Sequence, residues 1–115
     1  MLFRSWDEGD EVSIHAVAYD EQGQAVATGR LLPDGHIGRM AVTKSLRGKG
    51  VGKAVLSALL EVAAQEGHKE LVLHAQAQAI PFYARQGFVC EGDEFLEVDI
   101  PHRLMRLRLA AAKTH

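Results

Sequence analysis

Residues 11–42 alternate apolar and polar positions in a way that predicts three antiparallel strands. In the first strand, Ile14, Ala16 and Ala18 occupy one face and the residues between them occupy the other, as in a half-buried strand. The tripeptide Pro33-Asp34-Gly35 combines a residue of fixed φ with one that tolerates a positive φ, so it predicts a tight turn. The predicted strands cover residues 11–19, 24–32 and 36–42.

The spacing changes after Gly52, where apolar residues recur three and four positions apart. This spacing places them on one stripe of an amphipathic helix. We expect the helix to end at Gly67, because glycine readily takes the left-handed conformation that follows a helix. The stripe consists of Val55, Leu56, Leu59, Leu60, Val62 and Ala63.

The last third of the chain predicts shorter elements. In chain order we predict a buried strand at 71–75, a short helix at 79–86, extended residues at 88–91, a polar loop at 92–102 and a final strand at 103–109. The short helix is expected to stop at Gly87.

Length and composition narrow the class of protein. A chain of 115 residues and 12.6 kDa predicts one domain over residues 1–115. Its 13 basic and 15 acidic residues give a net charge of −2, without the basic excess that a nucleic-acid or anionic-membrane surface needs. The single cysteine, Cys90, favours a reducing cytoplasm, and the histidines lack metal-binding spacing, so no metal is predicted.

The stretch 47–53, Arg-Gly-Lys-Gly-Val-Gly-Lys, lies between a predicted strand and the longest predicted helix. Glycines let backbone N–H groups approach a ligand closely, and a helix N-terminus favours negative charge, so this turn suits a phosphate group. A glycine-rich turn with solvated charges is the alternative. A Walker A loop is excluded because Arg47 and Ala54 replace its glycine and hydroxyl residue, and a dinucleotide fingerprint is excluded because Lys53 replaces its last glycine.

Two motifs give the chain a resemblance to the Gcn5-related (GNAT) N-acetyltransferases. The turn matches their R-x-x-G-x-G signature, and Ala79, Tyr83, Gly87 and Phe88 reproduce A-x-x-x-Y-x-x-x-G-F. The segments 32–42 and 95–102 look most like the ElaA-like bacterial branch. The resemblance implies an α/β acyl-CoA N-acyltransferase fold, a mostly antiparallel sheet in which the third and fourth recognised strands splay to admit acetyl-CoA.

The same resemblance implies roles for individual residues. Tyr83 would protonate the departing CoA thiolate. Gln76 stands where many relatives have an asparagine that holds the pantetheine arm. Main-chain groups of three strand residues would bind the pantetheine arm and the thioester carbonyl, and the turn would bind the pyrophosphate. The implied cofactor-binding residues are Met40, Ala41, Val42, Arg47, Gly48, Lys49, Gly50, Val51, Gly52, Lys53 and Gln76.

The general base stays open at this point, because several side chains of suitable chemistry could face an acceptor and water could also remove the proton. The candidates are His36, His74, Glu97, Asp99 and His102.

The function implied is transfer of an acetyl group from acetyl-CoA to a primary amine of a small molecule or peptide. The alternatives are a non-catalytic module that binds acyl-CoA or pairs with another subunit, and a structural domain whose turn binds nothing. Such enzymes usually begin with a strand and two helices, whereas ten residues precede the first recognised strand here. We therefore expect that strand to be an exposed sheet edge that a homodimer partner covers. In the alternative, residues 1–10 fold back over it and the chain stays monomeric but only marginally stable.

Overall fold

Seven strands and two α-helices make up the part of the chain that the computed structural model describes, residues 2–7 and 13–109. The elements are β1 (Leu2–Asp7), β2 (Ile14–Tyr19), β3 (Ala25–Leu31), β4 (Ile37–Val42), α1 (Val51–Gln65), β5 (Glu70–Gln76), α2 (Ile80–Arg85), β6 (Val89–Glu97) and β7 (Ile100–Arg108). Short 3-10 turns at Lys44–Leu46 and Ala77–Ala79 precede the two helices. The chain divides into two compact units, Met1–Gly67 and His68–His115.

The first unit is a four-stranded antiparallel sheet in the order β1-β2-β3-β4, with α1 packed on β2, β3 and β4. The predicted apolar stripe of α1 is the face that packs: Val55, Leu56 and Leu59 are fully buried. Ala16 and Ala18 of β2 are also buried, as the alternation predicts, and Gly67 has the expected positive φ just after the helix.

A bulge in β4 lies opposite a glycine of β3. Between the pairs Thr28–Ala41 and Arg30–Gly38, the single residue Gly29 faces two residues of β4, so β4 carries one extra residue there. Arg39 takes a φ of 53° at this point, and its carbonyl accepts a hydrogen bond from the Thr28 hydroxyl at 3.1 Å. Gly29 has no side chain, and this absence lets α1 and Met40 approach β3 closely.

We predict that Gly29→Ala lowers the free energy of unfolding by about 1–3 kcal/mol, as overpacking a well-filled core does. The added methyl would lie 2.6 Å from the Met40 sulfur and 2.8 Å from a Leu59 methyl, so both must shift. Gly38→Ala is the matched control, because its methyl meets only an Arg30 nitrogen at 3.8 Å. Urea titration measures both variants. Equal stability of the two would contradict the close packing.

The second unit is a three-stranded antiparallel sheet in the order β5-β7-β6, to which α2 adds a short helix. One sheet face is apolar, with Leu71 and Met105 almost fully buried. The other face carries charge: Arg106 on the central strand donates to Glu91 of β6 at 2.7 Å and to Glu70 of β5 at 2.6 Å. This ion cluster links all three strands. β4 and β5 belong to different sheets, so no strand pairing joins them. They correspond to the third and fourth recognised strands, which the resemblance implied would splay.

The prediction that the strand at 11–19 is an exposed sheet edge is wrong. Residues Leu2–Asp7 form β1, which pairs antiparallel with β2, with Leu2 opposite Tyr19. Since β3 pairs with the other side of β2, the backbone groups of β2 are paired on both sides. Residues 2–7 therefore pair as the fold-back alternative expects; the rest of residues 1–10 lies outside the described residues. The homodimer stays a prediction, without the exposed edge that motivated it.

The predicted polar loop at 92–102 is also wrong, because most of it belongs to the β6–β7 hairpin. An irregularity between Glu91 and Phe95 breaks the period of two, and polar residues dominate because β6 is the last strand of its sheet. The turn residues Val98 and Asp99 have φ values of 51° and 60°. Hairpin turns of this kind normally use Asn-Gly, so the usual sequence signal is missing.

We predict that the double variant Val98→Asn, Asp99→Gly raises the free energy of unfolding by about 1–2 kcal/mol, because left-handed backbone costs about that much for most L-residues. Val98 is 88% exposed, so its side chain contributes little packing. Val89→Asn, at an exposed strand position of the same sheet, is the control and should give no gain. Thermal unfolding measures both variants. A gain in the turn variant alone supports relief of backbone strain, whereas an equal gain in the control would contradict it.

Candidate active site

The turn between β4 and α1 exposes backbone donors at a helix N-terminus. Gly48 and Gly50 take φ values of 81° and 84°, which few residues other than glycine adopt. Gly50 is the N-cap of α1, and no side chain caps the helix there. The first N–H groups of a helix have no acceptor within it, so the amides that follow Gly50 remain available to an anion.

Charged side chains surround this turn. Lys49 and Lys53 are exposed and add positive charge. The Arg47 side chain donates from Nε to the Val42 carbonyl at 3.2 Å, which ties the turn to the end of β4. Arg47 thus fixes the local backbone as well as adding charge.

Met40, Ala41 and Val42 form the last part of β4, immediately before the turn. Ala41 pairs with Thr28 and Val42 pairs with Ala27, so β3 occupies one side of the strand. β4 is the final strand of its sheet, so its other side is not hydrogen-bonded to a strand of that sheet. Main-chain groups on this second side have the extended geometry that a ligand arm can pair with.

Tyr83 lies on α2 and is 8% exposed. Its ring meets Phe88 edge-on at 5.9 Å and Phe82 at 5.0 Å between centroids. Burial raises the pKa of the phenol above its usual value of 10.0, so Tyr83 is neutral and keeps its proton at neutral pH. Within residues 13–109 no side chain or carbonyl accepts a hydrogen bond from its hydroxyl.

Gln76 is the last residue of β5 and is exposed. Its side-chain oxygen accepts a hydrogen bond from the Gln78 amide at 2.5 Å. That bond occupies the carbonyl end of the Gln76 amide and leaves the NH₂ end as its donor.

Three of the five candidate bases come together on the second sheet, and two do not. His74 Nδ1 lies 2.9 Å from Glu97 Oε1, and His102 Nε2 lies 3.8 Å from Glu97 Oε2. His36, in the first unit, instead lies 3.0 Å from Asp34, whose pKa is lowered mainly because the His36 backbone N–H donates to it. Asp99 occupies the hairpin turn.

Phe95 completes this cluster, and the sequence did not single it out. Its ring meets His74 edge-on at 5.1 Å and stacks on His102 at 6.0 Å between centroids. The only sequence signal is the spacing of two between Phe95 and Glu97, which becomes informative once the β6–β7 register is known. We name the four residues His74, Phe95, Glu97 and His102 the histidine–glutamate cluster.

Other kinds of site find little support within residues 2–7 and 13–109. Within residues 13–109, whose side chains are described, no group of three or more His, Cys, Asp or Glu side chains is arranged to hold a metal ion. No helix in the same residues is long and apolar enough to cross a membrane. An open groove of about 490 Å³ between the β2–β3 turn and the residues after β4 includes none of the candidate residues.

Proteins similar to this chain in sequence or fold include N-acetyltransferases and acyl-CoA N-acyltransferases. The chain is 41% identical over 103 residues to the uncharacterized N-acetyltransferase YjcF of Bacillus subtilis, covering 86% of this chain and 73% of that protein. An acyl-CoA N-acyltransferase from Pseudomonas aeruginosa superposes with a TM-score of 0.73 at 34% identity, covering 83% of this chain and 68% of that one. Escherichia coli ElaA superposes with a TM-score of 0.76 at 32% identity, covering 84% and 68%.

Residues 7–109 match the acetyltransferase (GNAT) domain family, and the chain belongs to that family. The resemblance stated from the two motifs is thereby confirmed, and so is the acyl-CoA N-acyltransferase fold.

Proposed function

We propose that the protein transfers an acetyl group from acetyl-CoA to a primary amine of a small molecule or peptide, without a metal. The amine attacks the thioester carbon, a C–N bond forms, and the C–S bond breaks as the tetrahedral intermediate collapses. CoA leaves as a thiolate that takes a proton from Tyr83. The attacking nitrogen releases one proton to water as the amide forms, and water returns one proton to Tyr83. Acetyl-CoA and the amine are the partners that this reaction requires.

The observation that carries the proposal is the turn at 47–53. Two left-handed glycines and an uncapped helix start leave backbone N–H groups unpaired, and Lys49 and Lys53 add positive charge beside them. The chain as a whole carries a net charge of −2, so this positive potential is local. A pyrophosphate group satisfies both the donors and the charge.

The main chain of Met40, Ala41 and Val42 is assigned to the pantetheine arm and the thioester carbonyl. β4 supports this role because its outer side is not paired within its sheet. The amide of Gln76 supplies a further donor to the arm. These groups would hold the thioester carbonyl and stabilise the oxyanion that forms on it.

Tyr83 is assigned to the thiolate because its phenol stays protonated and its hydroxyl has no acceptor among the described residues. The raised pKa makes proton transfer harder in the ground state. Proton transfer from Tyr83 becomes favourable as the C–S bond breaks, since negative charge then develops on a sulfur that needs a nearby donor.

We predict that Gly50→Trp abolishes most CoA binding, because a bulky side chain blocks approach to the donors of the turn. Isothermal calorimetry with CoA measures the affinity. Gly23→Trp is the matched control: Gly23 has a φ of 83° against 84° for Gly50, and a Cβ meets nothing within 4 Å at either position. The two variants therefore carry similar backbone strain, and only the first should lose affinity. Unchanged affinity in folded Gly50→Trp would refute the assignment of the turn.

We predict that Tyr83→Phe lowers turnover by about 10² to 10⁴, the usual contribution of a general acid, while CoA affinity changes little. A thiol-release assay over a panel of amines measures turnover, and calorimetry measures affinity. Tyr19→Phe is the control, because Tyr19 is the other tyrosine of the chain and lies on β2. Full turnover by Tyr83→Phe would show that the residue only packs. CoA binding without thiol release by the wild-type protein would favour the non-catalytic module instead.

A further inference from the structure

We infer that Glu97 and His102 bind a second, non-reacting ammonium group of the acceptor. The acceptor is then an aliphatic amine that carries another positively charged nitrogen, and this substrate class rests on the proposed function. Both residues belong to the histidine–glutamate cluster, which lies entirely within the second unit.

Two hydrogen-bond acceptors face each other in this cluster. The Ile100 carbonyl only accepts, so its 2.7 Å contact places the ring proton of His102 on Nδ1 and leaves a lone pair on Nε2 of the neutral ring. Nε2 lies 3.8 Å from Glu97 Oε2, which is beyond hydrogen-bond distance. Within residues 13–109 no other group forms a hydrogen bond with this nitrogen. An ammonium group has several N–H donors and satisfies both acceptors at once.

Burial makes the unpaired nitrogen of His102 informative. The His102 side chain is 7% exposed, whereas that of Glu97 is 46% exposed. Polar groups in buried side chains are normally hydrogen-bonded, because an unpaired one costs free energy. A ligand that approaches past the exposed Glu97 carboxylate supplies the donor that His102 lacks.

His74 and Phe95 hold the two acceptors in position. A carboxylate only accepts, so His74 donates from Nδ1 to Glu97 Oε1 at 2.9 Å and leaves Oε2 on the side of His102. The Phe95 ring stacks on the His102 ring at 6.0 Å between centroids. The pair is therefore ordered before a ligand binds, which lowers the entropic cost of binding.

The charge of the β6–β7 hairpin favours a cation at this place. Residues 91–99 include five acidic residues and no lysine or arginine. Arg106 neutralises Glu91, whereas Arg103 donates to a main-chain carbonyl at 2.6 Å. Among the described residues, the ion pairs of Glu97 are with the two histidines alone. The hairpin thus keeps a negative potential that attracts an ammonium group.

The strand register places the pair near the proposed acetyl donor. Gln76 pairs with His102, which pairs in turn with Phe95, so the three residues form one row across strands about 4.8 Å apart. Glu97 follows Phe95 by two residues on the same sheet face, and Ile100 opposite it is 40% exposed and offers apolar surface to methylene groups. If Gln76 holds the pantetheine arm, a short diamine reaches from the pair to the thioester.

The test of turnover compares 1,4-diaminobutane with butylamine, using the full-length protein, acetyl-CoA and the thiol-release assay at pH 8. The two amines have the same carbon chain, and the diamine alone has a second ammonium group. The preference for the diamine is the ratio of the two kcat/KM values. We expect Glu97→Gln to lower this ratio about 10- to 100-fold, because the variant keeps an acceptor but loses the charge.

Glu94→Gln is the matched control, because it removes the same charge from the same strand at an exposed residue outside the cluster. It should leave the ratio unchanged. An equal fall in both variants would assign the preference to the general potential of the hairpin and overturn the inference. An equal loss of kcat/KM with both amines in Glu97→Gln would also overturn it, because the residue would then act on the reaction or the fold and not on the second ammonium group.

A binding measurement separates this inference from the proposed function. Protein with ¹⁵N-labelled histidine is titrated with 1,4-diaminobutane at pH 8, and we expect a saturable shift of the His102 Nε2 resonance that Glu97→Gln abolishes. A proton on Nε2 in the free protein would overturn the inference, because that proton would already satisfy both acceptors. The expected shift without thiol release from any amine would support the subsite and refute the proposed function. Thiol release without the shift would overturn the subsite alone.

Discussion

The passage from β4 to α1 requires two left-handed residues, at Gly48 and Gly50, and the candidate site depends on this constraint. Only glycine takes that backbone without a cost of about 1–2 kcal/mol per residue. A Cβ at Gly48 or Gly50 would meet nothing within 4 Å, and no side chain caps the start of α1. The same glycines that let the chain turn therefore leave a set of unpaired donors at the positive end of a helix dipole.

Packing in the first unit holds that turn in place. α1 lies close to β3 because Gly29 has no side chain, and the bulge at Arg39 brings Met40 over the same glycine. The Arg47 side chain then ties the turn back to the Val42 carbonyl. Strand, bulge, turn and helix are thus mutually constrained, and a shift of any one of them would move the donors. In the second unit a single sheet buries apolar residues on one face and presents the histidine–glutamate cluster on the other.

Local chemistry explains which features the sequence could predict. The alternation at Ile14–Ala18, the stripe on α1 and the glycine turn are short-range patterns, and the structure confirms the elements that they predict. The hairpin tip at Val98 was missed because a β-branched residue in a left-handed turn contradicts the usual signal. The pairing of Leu2–Asp7 with β2, and the meeting of His74 with Glu97 across β7, depend on register between distant segments. The spacing of residues along the chain does not determine that register.

The central claim is that the amides of the turn at 47–53 bind the pyrophosphate of CoA. Titration of uniformly ¹⁵N-labelled protein with CoA, followed by two-dimensional NMR, tests it at the level of single amides. We predict saturable shifts of the Gly48, Gly50 and Gly52 resonances, with Gly23, in the β2–β3 turn, unaffected. Saturable CoA binding that leaves those three amide resonances unmoved would contradict it.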